Sequence, residues 1–312
     1  MKSEMPEILV VGAGAVGTFY GAKLASAGAK VTLLCRSDYD VVKENGIEVK
    51  SIDGDLHFKP SRVIRKASEC GAPPDFVLVA LKYLPQLIDT AEIIRAAIGP
   101  DTSIFHIQNG IEIEKETALA FPNNEILSAV AFICVTRTAP GFLHHSDYGR
   151  LVVGRYPGGS SEKAELLKNL FNKSGVECAI TDDIMKTRFL KLVWNVPFNA
   201  ISVLGNHADT RSMLENKLSC ELSAQLMEEV CGISEAYGRK FPDDTIENYM
   251  VYTRKMKPYK TSMLVDFEAG RPMEVEAILG NLVRMADEKK LDIPRIRTLY
   301  GLLSLADRKA DK

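Results

Sequence analysis

The feature that most constrains this chain stands at its start. Ile8-Leu9-Val10-Val11 runs directly into Gly12-Ala13-Gly14-Ala15-Val16-Gly17, and Thr18–Ala27 then has helical composition. A short apolar run, a glycine turn spaced G-x-G-x-x-G and a helix, in that order, make the opening βα turn of a dinucleotide-binding fold. Gly12 permits the tight turn, Gly14 lets a pyrophosphate approach the backbone, and Gly17 lets the helix pack close to its strand. The N–H groups of the first helical turn, from Ala15 and Val16 onward, then face the phosphates, where the helix dipole also favours negative charge. The bland reading of the same letters is a glycine turn that binds nothing.

The second strand, Lys30–Cys35, bears on which dinucleotide. It ends in Arg36-Ser37-Asp38. An NAD-binding fold places Asp or Glu about 20 residues past the glycines, to hold the ribose 2′-hydroxyl. Arg36 stands at that strand end instead. A guanidinium matches a 2′-phosphate in charge and fork geometry, whereas a carboxylate repels it. NADPH/NADP+ is therefore the expected cofactor, with Asp38 as the competing candidate for a ribose hydroxyl.

At 312 residues the chain has room for two domains, each with its own core. Its 39 Lys and Arg against 41 Asp and Glu give no basic field for nucleic acid, and no segment suggests a membrane partner. No apolar run approaches the roughly 18 residues of a membrane span, and the N-terminus lacks a signal-peptide core. The six cysteines form no C-x-x-C pair and no metal-ligand spacing with the five histidines, so no metal is expected. Reduced thiols in a cytoplasmic protein are the expected state.

Strands alternate with helices as far as residue 180. After the first βαβ unit come Asp75–Leu81, Ser103–Ile107, Ile126–Val135 and Leu151–Gly154, with a hairpin over Thr138–Asp147 expected on the sheet edge around Pro140-Gly141. Ser161–Phe171 reads as a helix and Cys178–Ile180 as a last short strand. From Asp182 onward the periodicity is helical, with breaks near Gly205, Pro242, Pro258, Gly270-Arg271-Pro272 and Pro294. The expected class is α/β: a Rossmann-type dinucleotide-binding domain over residues 1–180, then an all-helical substrate domain over 181–312. Ligands of such sheets bind beyond the carboxyl ends of the strands, so the active site is expected where the second domain meets those ends.

Four groups of residues are chemical candidates. Lys82 follows the Asp75–Leu81 strand and could meet a phosphate or polarise a carbonyl; a solvated loop lysine is the alternative. Asn109, in Gln108-Asn109-Gly110, follows the next strand and offers both a donor and an acceptor, although Asn-Gly is also an ordinary turn dipeptide. Lys191, Asn195 and Asn199 are spaced four apart in the apolar segment Phe189–Leu204, so they share one stripe of a helix. A cation and two amides there are costly to bury without partners, which points to a polar seam facing a ligand. Pro197 is expected to kink that helix. Ser262 and Glu274 flank a short helix ending near Gly270; a cap and solvated carboxylates explain them equally well.

In order and spacing these pieces resemble the ketopantoate reductase family (2-dehydropantoate 2-reductase), over nearly the whole chain. The resemblance rests on Gly12-x-Gly14-x-x-Gly17, Arg36, Lys82, Gln108-Asn109-Gly110, Lys191-x-x-x-Asn195-x-x-x-Asn199 and Ser262-Met263-Leu264-x-Asp266-x-x-x-Gly270-Arg271-x-x-Glu274. It implies NADPH-dependent reduction of 2-dehydropantoate to pantoate, on the route to pantothenate and coenzyme A. It implies Lys191 as general acid and Glu274 as the carboxylate that orders the closed site. Asn109, Asn195, Asn199 and Ser262 match substrate-contacting positions. Gly12, Gly14, Ala15, Val16, Gly17, Arg36, Lys82, Asn109 and Glu274 match cofactor contacts. The implied partner is a small 2-keto acid, and a homodimer built through the helical half is compatible with it. Two departures bear on the substrate: Asp209 stands where many relatives have Asn, and Trp194–Asn199 is bulkier than usual. A sister reductase of another 2-keto acid or imine is the nearest alternative, and a non-catalytic dinucleotide-binding sensor the alternative of another class.

Overall fold

The strand β1 (Glu7–Val11) buries four of its five residues. Ile8 and Val10 pack into one apolar cluster and Leu9 and Val11 into another. A strand apolar on both sides belongs inside a sheet with both faces covered. The computed structural model, which describes residues 5–307, places it there. The chain divides into two units. Residues 5–82, Ile88–Gln108 and Glu114–Met185 form the first; Tyr83–Leu87, Asn109–Ile113 and residues 186–307 form the second.

The first unit continues from β1 through α1 (Ala15–Ser26), β2 (Lys30–Leu34), α2 (Tyr39–Asn45), β3 (Ile47–Ser51), β4 (Leu56–Phe58), β5 (Arg62–Ile64) and β6 (Phe76–Val79). Then follow α3 (Thr90–Ile94), β7 (Ser103–His106), α4 (Lys115–Ala120), β8 (Ile126–Ala139), β9 (Phe142–Arg155), α5 (Glu162–Lys173) and β10 (Cys178–Ile180). The ten strands form one sheet in the order β4-β3-β9-β8-β7-β6-β1-β2-β5, with β10 also paired to β9. From β5 to β8 all neighbours are parallel. With the β3–β4 hairpin set aside, that run has the doubly wound order in which direction reverses beside the first strand. The reversal falls between β1 and β6, so the crevice for a ligand opens at Gly12 on one side and Ala80 on the other.

One expectation is corrected here. The β8–β9 hairpin does turn at Pro140-Gly141, but it is not a sheet edge. Phe142–His145 of β9 pair with β3, and Leu151–Val153 pair with β10. Both strands run 14 residues, long enough for one flank of β9 to take two partners in succession. The signal for β3 was weak, because Ile47-Glu48-Val49-Lys50 alternates over only a few residues, with buried Ile47 and Val49.

The second unit is helical. After α6 (Ile184–Leu204) come α7 (Thr210–Glu215), α8 (Lys217–Ala236), α9 (Thr245–Lys255) and α10 (Ser262–Glu268). A π-helical turn over Glu276–Gly280 then leads into α11 (Asn281–Lys289), and α12 (Pro294–Asp307) closes the described chain. The helix α6 runs unbroken past Pro197. It is held by α9, where Trp194 Nε1 donates to Thr253 Oγ1 at 3.0 Å and Tyr249 donates its hydroxyl to the Leu190 carbonyl at 3.0 Å. The start of α12 is capped from α8: Glu229 accepts the N–H groups of Arg295 at 3.1 Å and Ile296 at 2.8 Å. Pro294, which has no N–H to satisfy, suits the first position of that helix.

Candidate active site

In the first unit the glycine turn has the shape a pyrophosphate needs. Gly12 has φ +109°, and a Cβ there would sit 2.7 Å from the Ala80 backbone, so the turn lies directly on the end of β6. Gly17 is as tightly placed, with a Cβ position 2.3 Å from the Gly12 carbonyl oxygen. Around a Cβ at Gly14, by contrast, there is nothing within 4 Å. Gly14 is also the N-cap of α1, with no side-chain cap and no acidic residue in the first turn. An open position at an uncapped helix N-terminus is where an anion is favoured. Ala15 and Val16 follow in the first turn, so the residues present fit a dinucleotide's phosphates.

Arg36 is exposed just past the end of β2. Asp38, its competitor, is only 5% exposed, and its two oxygens accept from the Arg137 guanidinium at 2.8 Å each and from the Ser37 hydroxyl at 2.8 Å. The Asp38 carboxylate is thus already paired within the protein, by an arginine 99 residues away on β8. Lys82 is half-buried beyond the end of β6.

In the second unit three predicted residues meet. Lys191 Nζ donates to Asn109 Oδ1 at 2.6 Å, and Asn109 Nδ2 makes a longer contact of 3.5 Å to Glu274 Oε2. Glu274 Oε1 accepts the Tyr83 backbone N–H at 3.0 Å. The Asn109 amide therefore lies between a cation and a carboxylate, oxygen towards the ammonium and nitrogen towards the carboxylate, and both neighbours favour that orientation. Asn195, one turn along from Lys191, is 6% exposed.

Asn199 is engaged differently. It is 2% exposed; its Nδ2 donates to the Asn195 carbonyl at 2.9 Å and its Oδ1 accepts the Met263 N–H at 3.3 Å. The amide so ties α6 to the start of α10. Ser262, the first residue of α10, is exposed beside the Thr261 cap. At three cysteines thiol chemistry is disfavoured: burial pushes the pKa of Cys35 and Cys178 up to about 12 and that of Cys231 up to about 11. Among the described residues no group of side chains could hold a metal ion, and no helix is long and apolar enough to cross a membrane.

Comparison with known proteins gives this geometry a family. Residues 8–158 match ketopantoate reductase PanE/ApbA, and residues 183–307 match ketopantoate reductase PanE/ApbA C terminal. A protein of Nostoc sp. named 2-dehydropantoate 2-reductase is 35% identical over 96% of this chain and 94% of its own. The solved 2-dehydropantoate 2-reductase of Methylococcus capsulatus is 44% identical, with a TM-score of 0.92 over 98% of both chains. That of Geobacter metallireducens GS-15 is 34% identical, with a TM-score of 0.91 over 96% of this chain and 99% of the other. The chain belongs to the ketopantoate reductase family. It is an oxidoreductase that works with a dinucleotide.

Within this ketopantoate reductase framework Asp209 has a plain role. It is the N-cap of α7 and accepts the Ser212 N–H at 2.8 Å. That bond holds its carboxyl below the ordinary value, so it is ionised and engaged with the helix start. Sequence reasoning passed over two residues beside the set. Arg188 is 2% exposed and donates to the Gly110 carbonyl at 2.9 Å; Asn281 is 7% exposed and donates to the Ile111 carbonyl at 2.6 Å. Arg188 lies three residues before Lys191, on the same stripe, and that spacing was a usable signal. Asn281 left none, since its partner is a backbone atom.

Proposed function

We infer that this chain reduces the keto group of 2-dehydropantoate to a secondary alcohol with NADPH, giving pantoate. Residues 1–180 serve the dinucleotide and residues 181–312 the substrate, in a cytoplasmic setting. The observation that supports this reading most is the Lys191–Asn109–Glu274 arrangement, with Asn195 buried one helical turn along α6. Gly12, Gly14, Ala15, Val16 and Gly17 would hold the pyrophosphate, and the family pattern adds Lys82, Asn109 and Glu274 as cofactor contacts. When bound, the reduced dinucleotide supplies the hydride.

The chain's own residues supply position, field and a proton. Negative charge grows on the keto oxygen as its carbon is reduced, and the Lys191 ammonium stabilises that charge and then protonates the oxygen. Asn109 fixes the ammonium by accepting one of its three N–H groups. Glu274 fixes Asn109 in turn and is itself held by the Tyr83 N–H. Asn195 and Ser262 bind polar groups of the substrate. Asn199 acts at its far end, keeping the start of α10 against α6.

NADPH in preference to NADH is supported by Arg36 and by the pairing of Asp38. An ionised carboxylate at this strand end would disfavour a 2′-phosphate, but Arg137 neutralises it, leaving Arg36 as the exposed group.

The test is oxidation of NADPH with 2-dehydropantoate and a short panel of other 2-keto acids, for the wild type and Lys191→Ala. A clear preference for 2-dehydropantoate in kcat/KM, and a loss of kcat of about 10²- to 10⁴-fold in the variant, is expected for a lost general acid. Turnover of another keto acid with 2-dehydropantoate inert would move the reading to a sister reductase. Dinucleotide binding without any turnover would favour a sensor.

A further inference from the structure

The turn that presents Asn109 is seated on an irregular helix. In an α-helix the Ala277 carbonyl would accept the N–H of Asn281, four residues on. Here the Asn281 N–H goes to the Glu276 carbonyl, five residues back, and the helix widens into the π-helical turn over Glu276–Gly280. The Ala277 carbonyl is released and accepts the Ile111 N–H at 3.1 Å. Gly110 rests on the same turn with φ +101°, where a Cβ would come within 2.5 Å of the Ala277 oxygen.

Two side chains complete the seat. Arg188 donates to the Gly110 carbonyl at 2.9 Å, and Asn281 Nδ2 donates to the Ile111 carbonyl at 2.6 Å. The Asn281 amide is oriented by Arg284, whose Nη2 donates to its Oδ1 at 2.6 Å. Arg284 is anchored in turn by Glu276, at 2.8 Å, and Glu276 also accepts the Tyr300 hydroxyl at 2.6 Å. Burying a guanidinium and an amide is costly, and apolar residues would close the core without that cost. Both polar groups are directed at the backbone of one short turn, and that turn carries Asn109.

We propose that Arg188 and Asn281 are positioning residues of the reduction: they fix the Gly110-Ile111 backbone on the π-helical turn, so that Asn109 stays between Lys191 and Glu274. The proposal rests on the reading of Lys191 as proton donor. π-Helical turns recur at functional sites, and this one has an identifiable task, since its register releases the carbonyl that holds Ile111.

The test is a double-mutant cycle. Asn281→Leu keeps the volume and removes the donor; Arg188→Met removes the guanidinium, and Arg188→Lys restores a donor. Each is measured for kcat and KM with the keto acid as varied substrate, and for NADPH affinity by fluorescence, in the wild-type and Asn109→Ala backgrounds. Hydrogen exchange of peptides spanning residues 109–113 reports the turn itself. Asn281→Leu is expected to lower kcat about 10- to 100-fold, since small displacements of positioning groups have effects of that order. NADPH affinity should stay within about twofold, exchange at the Ile111 amide should speed up, and Arg188→Lys should recover most of what Arg188→Met loses. In the Asn109→Ala background Asn281→Leu should change kcat less than about twofold, because the group it positions is gone. Equal losses in both backgrounds would overturn the proposal, as would faster exchange at Ile111 with kcat unchanged. If Asn281→Leu fails to fold, the Arg188 pair decides by the same criteria. Full activity of Lys191→Ala would instead refute the reading of the site, and full activity of Asn109→Ala would refute the proposal too.

Discussion

Gly110→Ala places one methyl group where the structure leaves no room for it. Two costs add if the backbone stays in place. An L-residue held at φ +101° is strained by about 1–3 kcal/mol. A Cβ 2.5 Å from the Ala277 oxygen and 2.6 Å from the Ala277 Cβ adds about 1–3 kcal/mol of overpacking. The sum, about 2–6 kcal/mol, is a large share of the roughly 5–15 kcal/mol that keeps a protein folded. The turn has a less costly way out, which is to move. Restoring an ordinary contact of about 3.4 Å needs a displacement of roughly 0.9 Å from the Ala277 oxygen. A shift of that size takes the Ile111–Ala277 bond from 3.1 Å to about 4.0 Å, beyond hydrogen-bonding range. If Asn109 moves with it, the 2.6 Å bond from Lys191 is lost as well.

The expected outcome is a fall in kcat of about 10²-fold, with an unfolding midpoint only a few degrees lower because the moved turn relieves most of the strain. Steady-state NADPH oxidation and a thermal melt measure both. Gly175→Ala is the control: its φ is +80°, but a Cβ there meets nothing within 4 Å, so it carries strain without overlap. That variant should lose some stability and no activity. Wild-type kcat in Gly110→Ala, with an unchanged melting temperature, would show that the turn does not bear on the chemistry.

Asp209→Ala should cost about 1 kcal/mol through the lost helix cap, while Asp209→Asn keeps the cap and nearly all the stability; both should leave the order of preference among keto acids unchanged. Because the folded-state pKa of Asp209 is lowered, the cap's contribution is present above the unfolded value of about 3.9 and is lost as pH falls through the folded one. The difference in melting temperature between wild type and Asp209→Ala should therefore narrow on acidification. A tenfold change in keto-acid preference in Asp209→Asn would contradict the capping role. Arg36→Ala should raise KM for NADPH about 10- to 100-fold, the range for one charge-assisted hydrogen bond, and leave KM for NADH within a few-fold; equal effects on both cofactors would remove Arg36 from 2′-phosphate recognition.

What was legible in the sequence was what periodicity and residue type encode together. Gly12, Gly14 and Gly17 differ in structure: two are jammed against backbone, and one is open at the helix N-terminus. Lys191 and Asn195 stood out as candidates because a polar residue every fourth position in an apolar helix has a cost that something must offset. Asn109 had two competing readings, a turn dipeptide and a functional amide; in the structure Gly110 takes the positive φ of the turn, and the Asn109 side chain bridges Lys191 and Glu274. The misses have a common physical cause. Arg137 reaches Asp38 through the way β8, β9 and β3 come together, and no local pattern reports a pairing 99 residues apart.

Asn281 and Ala277 were hidden for a deeper reason: each acts on a backbone atom, and a carbonyl or N–H is the same whatever residue carries it. Residue-type patterns can therefore find the groups that meet a ligand more readily than the groups that hold those groups still. The Asn109 turn shows where to look for the second kind. A helix that departs from its four-residue register releases a carbonyl, and a released carbonyl that is buried must be given a donor. Here the donor is the N–H of Ile111, two residues past Asn109. The irregularity in the helix and the placement of the amide are thus one structural fact, and a sequence that forced residues 276–281 into a regular α-helix would have to give up the seat of Asn109.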